Sequence, residues 1–108
     1  MLIQVLKSKL KEVIITDANL EYEGSITLDP DLIDAAGLHS YERVEINAVK
    51  GLARITTYVI YGKRGSGQVK LNGSAANFFK KGDHIHVNCF AIIDDNEWFN
   101  GPIIVKTD

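Results

Sequence analysis

The sequence predicts a mainly β fold, a small closed barrel carrying two short helices, and three observations lead there. Most apolar stretches alternate with polar residues or are short and β-branched. They recur at close spacing, and Gly, Asn and Asp turns part them. Many short strands so arranged favour closure over an open sheet. The chain has 108 residues, which suits one domain spanning residues 1–108 and is too short for two. A domain this small buries a modest core, so oligomerisation is a natural source of extra stability.

Taken in order, strands are expected over Glu12–Thr16, Val44–Val49, Ile55–Tyr61, Gln68–Leu71 and His84–Ile93, with a last one at Ile103–Val105. Asp29-Pro30-Asp31 places a capping residue before a proline at the first helical position, and Gly37 stops that helix after Ala35-Ala36. Ser74 is positioned to cap a second helix through Phe79, with Lys80 and Lys81 near its C-terminus and Gly82 ending it. Asp94 to Pro102 reads as a loop.

Lys and Arg number 12 and Asp and Glu 14, a formal charge of −2 without a basic run, which argues against a nucleic-acid partner. Cys89 is the single cysteine and lies in an apolar stretch, so a buried, inert thiol is expected. No signal peptide and no stretch of membrane-spanning length is expected, which makes a soluble cytoplasmic protein the default and a membrane partner unexpected. His84 and His86 have the spacing of two metal ligands, but no second cluster joins them, so no metal is expected. Gly65-Ser66-Gly67 lacks the third glycine and the helix of a dinucleotide site.

Gly24-Ser25 as a dipeptide says little, because most such pairs are plain turns. Its chemistry is nevertheless specific. The Ser25 hydroxyl adjoins the Gly24 carbonyl and can attack it, converting the amide to an ester if the fold strains the bond and stabilises the oxyanion. Glycine at 24 assists by tolerating unusual backbone geometry. Elimination of the ester leaves dehydroalanine at 25, which hydrolyses to a pyruvoyl cap and ammonia, giving chains 1–24 and 25–108.

The surrounding residues give the pair its meaning. Lys7-Ser-Lys9-Leu, Thr16-Asp-Ala-Asn-Leu, Tyr22-Glu-Gly-Ser25, Asp34-Ala-Ala-Gly, Arg54-Ile-Thr-Thr-Tyr58, Arg64-Gly-Ser, Asn72-Gly and Gly82-Asp83 stand in order and nearly without gaps from Leu6 to Phe90. In this the sequence resembles the pyruvoyl-dependent aspartate decarboxylases of pantothenate biosynthesis. The resemblance implies a six-stranded double-psi β-barrel, a homotetramer with sites at subunit boundaries, and conversion of L-aspartate to β-alanine. It also implies that Ser25 becomes the covalent pyruvoyl cofactor, whose ketone takes the substrate amine and draws off electrons as the α-carboxylate leaves. Whether cleavage is spontaneous or needs a maturation partner is left open.

Arg54 and Tyr58 share one strand face, roughly 13 Å apart at about 3.3 Å per residue. Both side chains are long enough to lean into one pocket, although an exposed arginine and a barrel tyrosine explain the residues alone. The resemblance makes Arg54 a carboxylate fork and Tyr58 the general acid that protonates the carbanion. It assigns Thr57 to polarising the Gly24 carbonyl, Lys9 to holding substrate charge, and Tyr22 and Asn72 to the site. Gly73, Ser74 and Ala75 complete it, with Ser74 and Ala75 offering backbone amides at the start of the second helix. Asn72-Gly73 is equally a turn signal.

Lys11, Asn47 and His86 depart from the family pattern, where histidine, tryptophan and an aliphatic residue are usual. Gly51 stands one residue early, and the acidic tail is short. Two rivals follow: an unprocessed barrel relative acting as a binding module, and a pyruvoyl decarboxylase for another acidic amino acid such as glutamate.

Overall fold

A computed structural model describes residues 1–107 of the chain. Its strands are β1 (Leu2–Ile14), β2 (Asp17–Asn19), β3 (Ser25–Leu28), β4 (Arg43–Ala48), β5 (Arg54–Tyr61), β6 (Val69–Asn72), β7 (His84–Asp94) and β8 (Ile103–Lys106). One helix, α1 (Pro30–Ala36), and one 3-10 turn, Gly73–Asn77, interrupt them. The fold is therefore mainly β, as the alternation predicts.

The strands form one sheet in the order β2-β6-β3-β5-β4-β7-β1-β8. Among the described residues the ladder does not close, because β2 and β8 remain its edges. The expected closed barrel is thus met only in part. Single backbone bonds continue the pairing past the end of β1 instead. Ile15 N–H donates to Asp83 (2.9 Å), Gly82 N–H donates to Ile15 (2.8 Å), and Thr16 N–H donates to Val69 (2.8 Å). These carry the chain from the β7 side of the sheet to β6.

One sheet face builds the core. Leu10, Val87, Ile46 and Ile55 follow one another across β1, β7, β4 and β5, and Ile26, Leu28, Val59, Val69 and Leu71 extend the apolar layer. The opposite face of those four strands is polar, with Lys9, Asn88, Glu45 and Thr56 in one row and His86, Asn47 and Arg54 in the next. β1 is far longer than the predicted Glu12–Thr16, because its register slips twice, between Leu6 and Ser8 and between Leu10 and Val13. Such bulges break a regular alternation and hide a strand from sequence periodicity.

The helix α1 forms as predicted. The Asp29 carboxylate accepts from Asp31 N–H, Pro30 opens the first turn, and Gly37 ends it at φ +66°. The second helix differs from expectation: it is a five-residue 3-10 turn that Ser74 does not cap. The residue before it is Asn72, whose side chain turns away to bond Ser25 and Thr27. Cys89 is buried as expected, and burial together with the nearby Glu42 carboxylate raises its thiol to a pKa of about 11. No helix among the described residues is long and apolar enough to cross a membrane.

Candidate active site

Ser25 opens β3 beside Asn72, the last residue of β6, in antiparallel register. Both are almost fully buried, at 3 % exposure each. Alternation then sends Ser25 and Thr27 to one face of β3, and Lys70 and Asn72 to the same face of β6. Asn72 Nδ2 donates to Ser25 Oγ at 2.8 Å and to Thr27 Oγ1 at 2.9 Å. Both amide protons of Asn72 are thereby committed, and the Ser25 hydroxyl oxygen is held in place by a fixed donor.

These residues floor a cleft of about 430 Å³ that Tyr22, Glu23, Ser25, Thr27, Tyr41, Tyr58, Ile60, Lys70 and Asn72 line. Tyr58 enters from β5, its ring centroid 6.1 Å from that of Tyr41 and tilted by 30°. Tyr41 sits at φ +67° and is fixed there by its N–H bond to Val59 at 2.6 Å. The Lys70 ammonium lies 4.3 Å above the Tyr22 ring. A larger cavity of about 560 Å³ lies under the 48–53 turn, but none of the nominated residues lines it, so chemistry rather than size selects the Ser25 cleft.

The segment ahead of the Gly24-Ser25 bond is packed against Gly73. A Cβ on Gly73 would stand 2.6 Å from Tyr22 O and 2.7 Å from Gly24 N, and Gly73 has φ +67°. Gly24 has neither a left-handed conformation nor crowding; its nearest neighbour to an added Cβ is Ser74 Oγ at 3.9 Å. The backbone freedom expected of glycine 24 is needed at 73 instead. Ser74 is thus near the bond, and Ala75 is buried behind it. The 3-10 turn is too short to supply the aligned helix dipole that the sequence suggested for the Ser74 and Ala75 amides.

Thr57 stands on the core side of β5, paired with Val44. The parallel register that sets Ile26 beside Val59, continued backward, brings Thr57 level with Gly24 and Tyr58 level with Ser25.

Arg54 and Lys9 are not brought to this cleft within one chain. Arg54 does share a face with Tyr58, but it is 71 % exposed and lies 3.8 Å from the Glu45 carboxylate. The cleft forms only where β5 runs beside β3, at the opposite end of β5 from Arg54. Lys9 pairs with Asn88 on the polar face. The departing residues gather there too. His86 Nδ1 accepts from Glu12 N–H at 3.1 Å, which satisfies the bulge where Glu12 adopts φ +55°. Burial, and then the Lys9 charge, lower the His86 pKa. Asn47 Oδ1 and Asn88 Oδ1 are buried without a partner among the described residues. No trio of His, Cys, Asp or Glu among the described residues is grouped to hold a metal.

Thr27, Tyr41, Ile60 and Lys70 were not nominated from sequence. Thr27 and Lys70 were within reach of it, since each is two residues along a strand from a nominated one. Tyr41 comes from a loop and carries no such signal.

The aspartate decarboxylase family model matches residues 1–108. An aspartate 1-decarboxylase from Caldicellulosiruptor bescii is 42% identical over 109 residues, covering 100% of this chain and 85% of the relative. One from Syntrophus aciditrophicus is 50% identical over 93 residues, covering 86% and 80%. One from Parabacteroides distasonis is 50% identical over 97 residues, covering 90% and 84%.

Proposed function

Because the chain belongs to the aspartate decarboxylase family, we propose that it cuts itself at Gly24-Ser25 and decarboxylates L-aspartate to β-alanine and carbon dioxide. The observation that carries this reading is the Asn72 amide donating to the buried Ser25 hydroxyl inside a cleft. Attack by Ser25 Oγ on the Gly24 carbonyl forms an ester as the amide nitrogen is released. Asn72 holds the attacking oxygen in position, and Gly73 holds the 22–24 backbone in place. Thr57, level with Gly24, is suited to polarising the carbonyl. Elimination across Ser25 releases residues 1–24 with a carboxylate end, and hydrolysis of the dehydroalanine releases ammonia.

The cleft would fit the resulting pyruvoyl group, since residue 25 lies on its floor and Asn72 Nδ2 is freed to donate there once Oγ leaves with residues 1–24. That group would supply the ketone that binds the substrate amine and withdraws electrons during loss of carbon dioxide. Tyr58 lines the cleft and is the protein's proton donor to the carbon that loses its carboxylate. Tyr22 and Ile60 narrow the access of water.

Lys9 and Arg54 reach the substrate from a neighbouring copy in a homotetramer. Three observations support assembly. The polar face bearing both residues leaves Asn47 Oδ1 and Asn88 Oδ1 without donors. The surface area of 6670 Å² exceeds the roughly 6,000 Å² typical of a monomer of this mass. Leu2, Ile92, Ile103 and Ile104 are exposed along β1, β7 and β8. In this reading the strand order belongs to a closed six-stranded double-psi barrel, which the bonds from Ile15 and Thr16 across the seam support.

Intact mass of the purified chain tests the claim. Two fragments broken after residue 24 are expected, the larger lighter by one ammonia than a serine-started peptide. A single uncut mass under all conditions, including with any maturation partner, overturns self-cleavage. Comparing product from aspartate and glutamate decides the substrate.

A further inference from the structure

Lys70 lies in the Ser25 cleft, and no role in the proposed reaction yet accounts for it. β6 alternates so that Val69 and Leu71 enter the core while Lys70 and Asn72 face the cleft. The register sets Lys70 opposite Thr27 and Asn72 opposite Ser25. At the backbone, Lys70 is therefore about 7 Å along the strand from the residue that bonds Ser25. Its ammonium meets no carboxylate among the described residues, and stands 4.3 Å over the Tyr22 ring, another wall of the cleft. An aromatic face restrains a lysine head while leaving its charge unneutralised and its donors available.

We propose that Lys70 binds the side-chain carboxylate of the substrate and so sets specificity from the same protomer that supplies Ser25. This rests on the decarboxylase reading. The retained carboxylate is the right partner on energetic grounds. A cation holding the departing α-carboxylate loses that attraction as neutral carbon dioxide forms, which raises the barrier. On the retained carboxylate the attraction persists through the reaction and serves binding and orientation. Glu23 lines the same cleft, and its negative charge opposes a substrate with two carboxylates. Lys70 supplies the cation on the cleft's own wall, whereas Arg54 and Lys9 lie outside it.

The test uses the full chain carrying Lys70→Gln, with cleavage verified by intact mass. The variant should process normally, and its KM for L-aspartate should rise about ten- to hundredfold, the range for a charged hydrogen bond, with kcat nearly unchanged. Lys70→Arg should recover most of the loss. Inhibition by succinate and by propionate, which both present the retained carboxylate and no amine, should weaken by a similar factor. An unchanged KM overturns the proposal. So does a KM restored by adding Glu23→Gln, since Lys70 then only screens Glu23. If the cleaved parent chain fails to turn over aspartate, the decarboxylase reading fails, and succinate binding to parent and Lys70→Gln, measured directly by calorimetry, still decides Lys70.

Discussion

A Cβ on Gly73 would stand 2.7 Å from the amide nitrogen of Gly24, whereas a Cβ on Gly24 itself would meet nothing closer than 3.9 Å. The demand for glycine at the cleavage segment therefore falls on the neighbour that packs against it. Gly73→Ala must either leave φ +67° or displace the 22–24 backbone. The conformational part alone costs about 1–2 kcal/mol, and the displacement moves the Gly24 carbonyl relative to Ser25. The variant should melt several degrees lower and yield little of the 1–24 fragment. Gly24→Ala should fold normally and still cleave. Thermal scans and a fragment time course check both, and wild-type cleavage by Gly73→Ala would falsify this role for the packing.

Asn72→Ala removes the donor that Ser25 and Thr27 share. The attacking hydroxyl loses the contact that positions it, and displacing a reacting group by about 1 Å can cost about 10²-fold, so self-cleavage should slow by that order. Two buried hydroxyls lose their partner as well, and stability should fall by about 1–3 kcal/mol. Cleavage kinetics measured at a temperature where the variant is fully folded separate the two effects. A wild-type cleavage rate under those conditions rules Asn72 out of processing.

The sequence made the β-class and α1 with its caps legible, because each rests on local rules, alternation and capping. Asn72 reached the site only through the family resemblance, since its pairing with Ser25 joins strands 47 residues apart. β1 was only partly legible, since its two bulges, one of them stabilised by His86, interrupt the period. The second helix was misread because Asn72 spends its side chain on the cleft and leaves the turn uncapped. Arg54 and Tyr58 show the limit most clearly. Alternation places them on one face correctly, but which part of that face becomes a cleft depends on β3, a strand nearly thirty residues earlier. Tyr41 was beyond reach for the same reason, being set by a long-range bond to Val59.

Tyr58→Phe should cleave like the parent chain, because the hydroxyl it lacks is not among the groups at the Gly24-Ser25 bond. Its ring also keeps the packing against Tyr41. Decarboxylation should fall by about 10²–10⁴-fold, the usual worth of a positioned general acid, with KM for aspartate little changed. Normal turnover in this variant rejects Tyr58 as the proton donor. Tyr41→Leu tests the support for that ring: the loss of the aromatic pair should cost about 0.5–1.5 kcal/mol and lower kcat with cleavage intact.

Acid should loosen the β5–β6 connection first. The Asp29 carboxylate accepts from Asp31 N–H at 2.8 Å, Gly67 N–H at 2.8 Å and Gly65 N–H at 3.1 Å, so one side chain ties the start of α1 to the loop between β5 and β6. The Asp31 bond, followed by that from Gly67, holds the Asp29 pKa below its ordinary value, with smaller help from Gly65 and the Arg64 charge against an opposing effect of burial. The sign follows from proton counting. Between the lowered folded pKa and the unfolded value near 3.9, the unfolded chain binds more protons, so stability rises with pH there and is lost on acidification. Asp29 contributes fully above about pH 4 and is lost as pH drops through the folded pKa. Melting temperature followed from pH 6 downward should fall steeply below about pH 4. In Asp29→Asn that acid limb should flatten, from a lower starting stability at neutral pH, because an amide oxygen in the place of Oδ1 can still accept from Asp31 and Gly65 N–H but the NH₂ in the place of Oδ2 cannot accept from Gly67 N–H. Since β6 carries Lys70 and Asn72 into the cleft, self-cleavage by the parent chain should decline over the same pH range, and an acid limb unchanged by Asp29→Asn would assign the loss to other carboxylates.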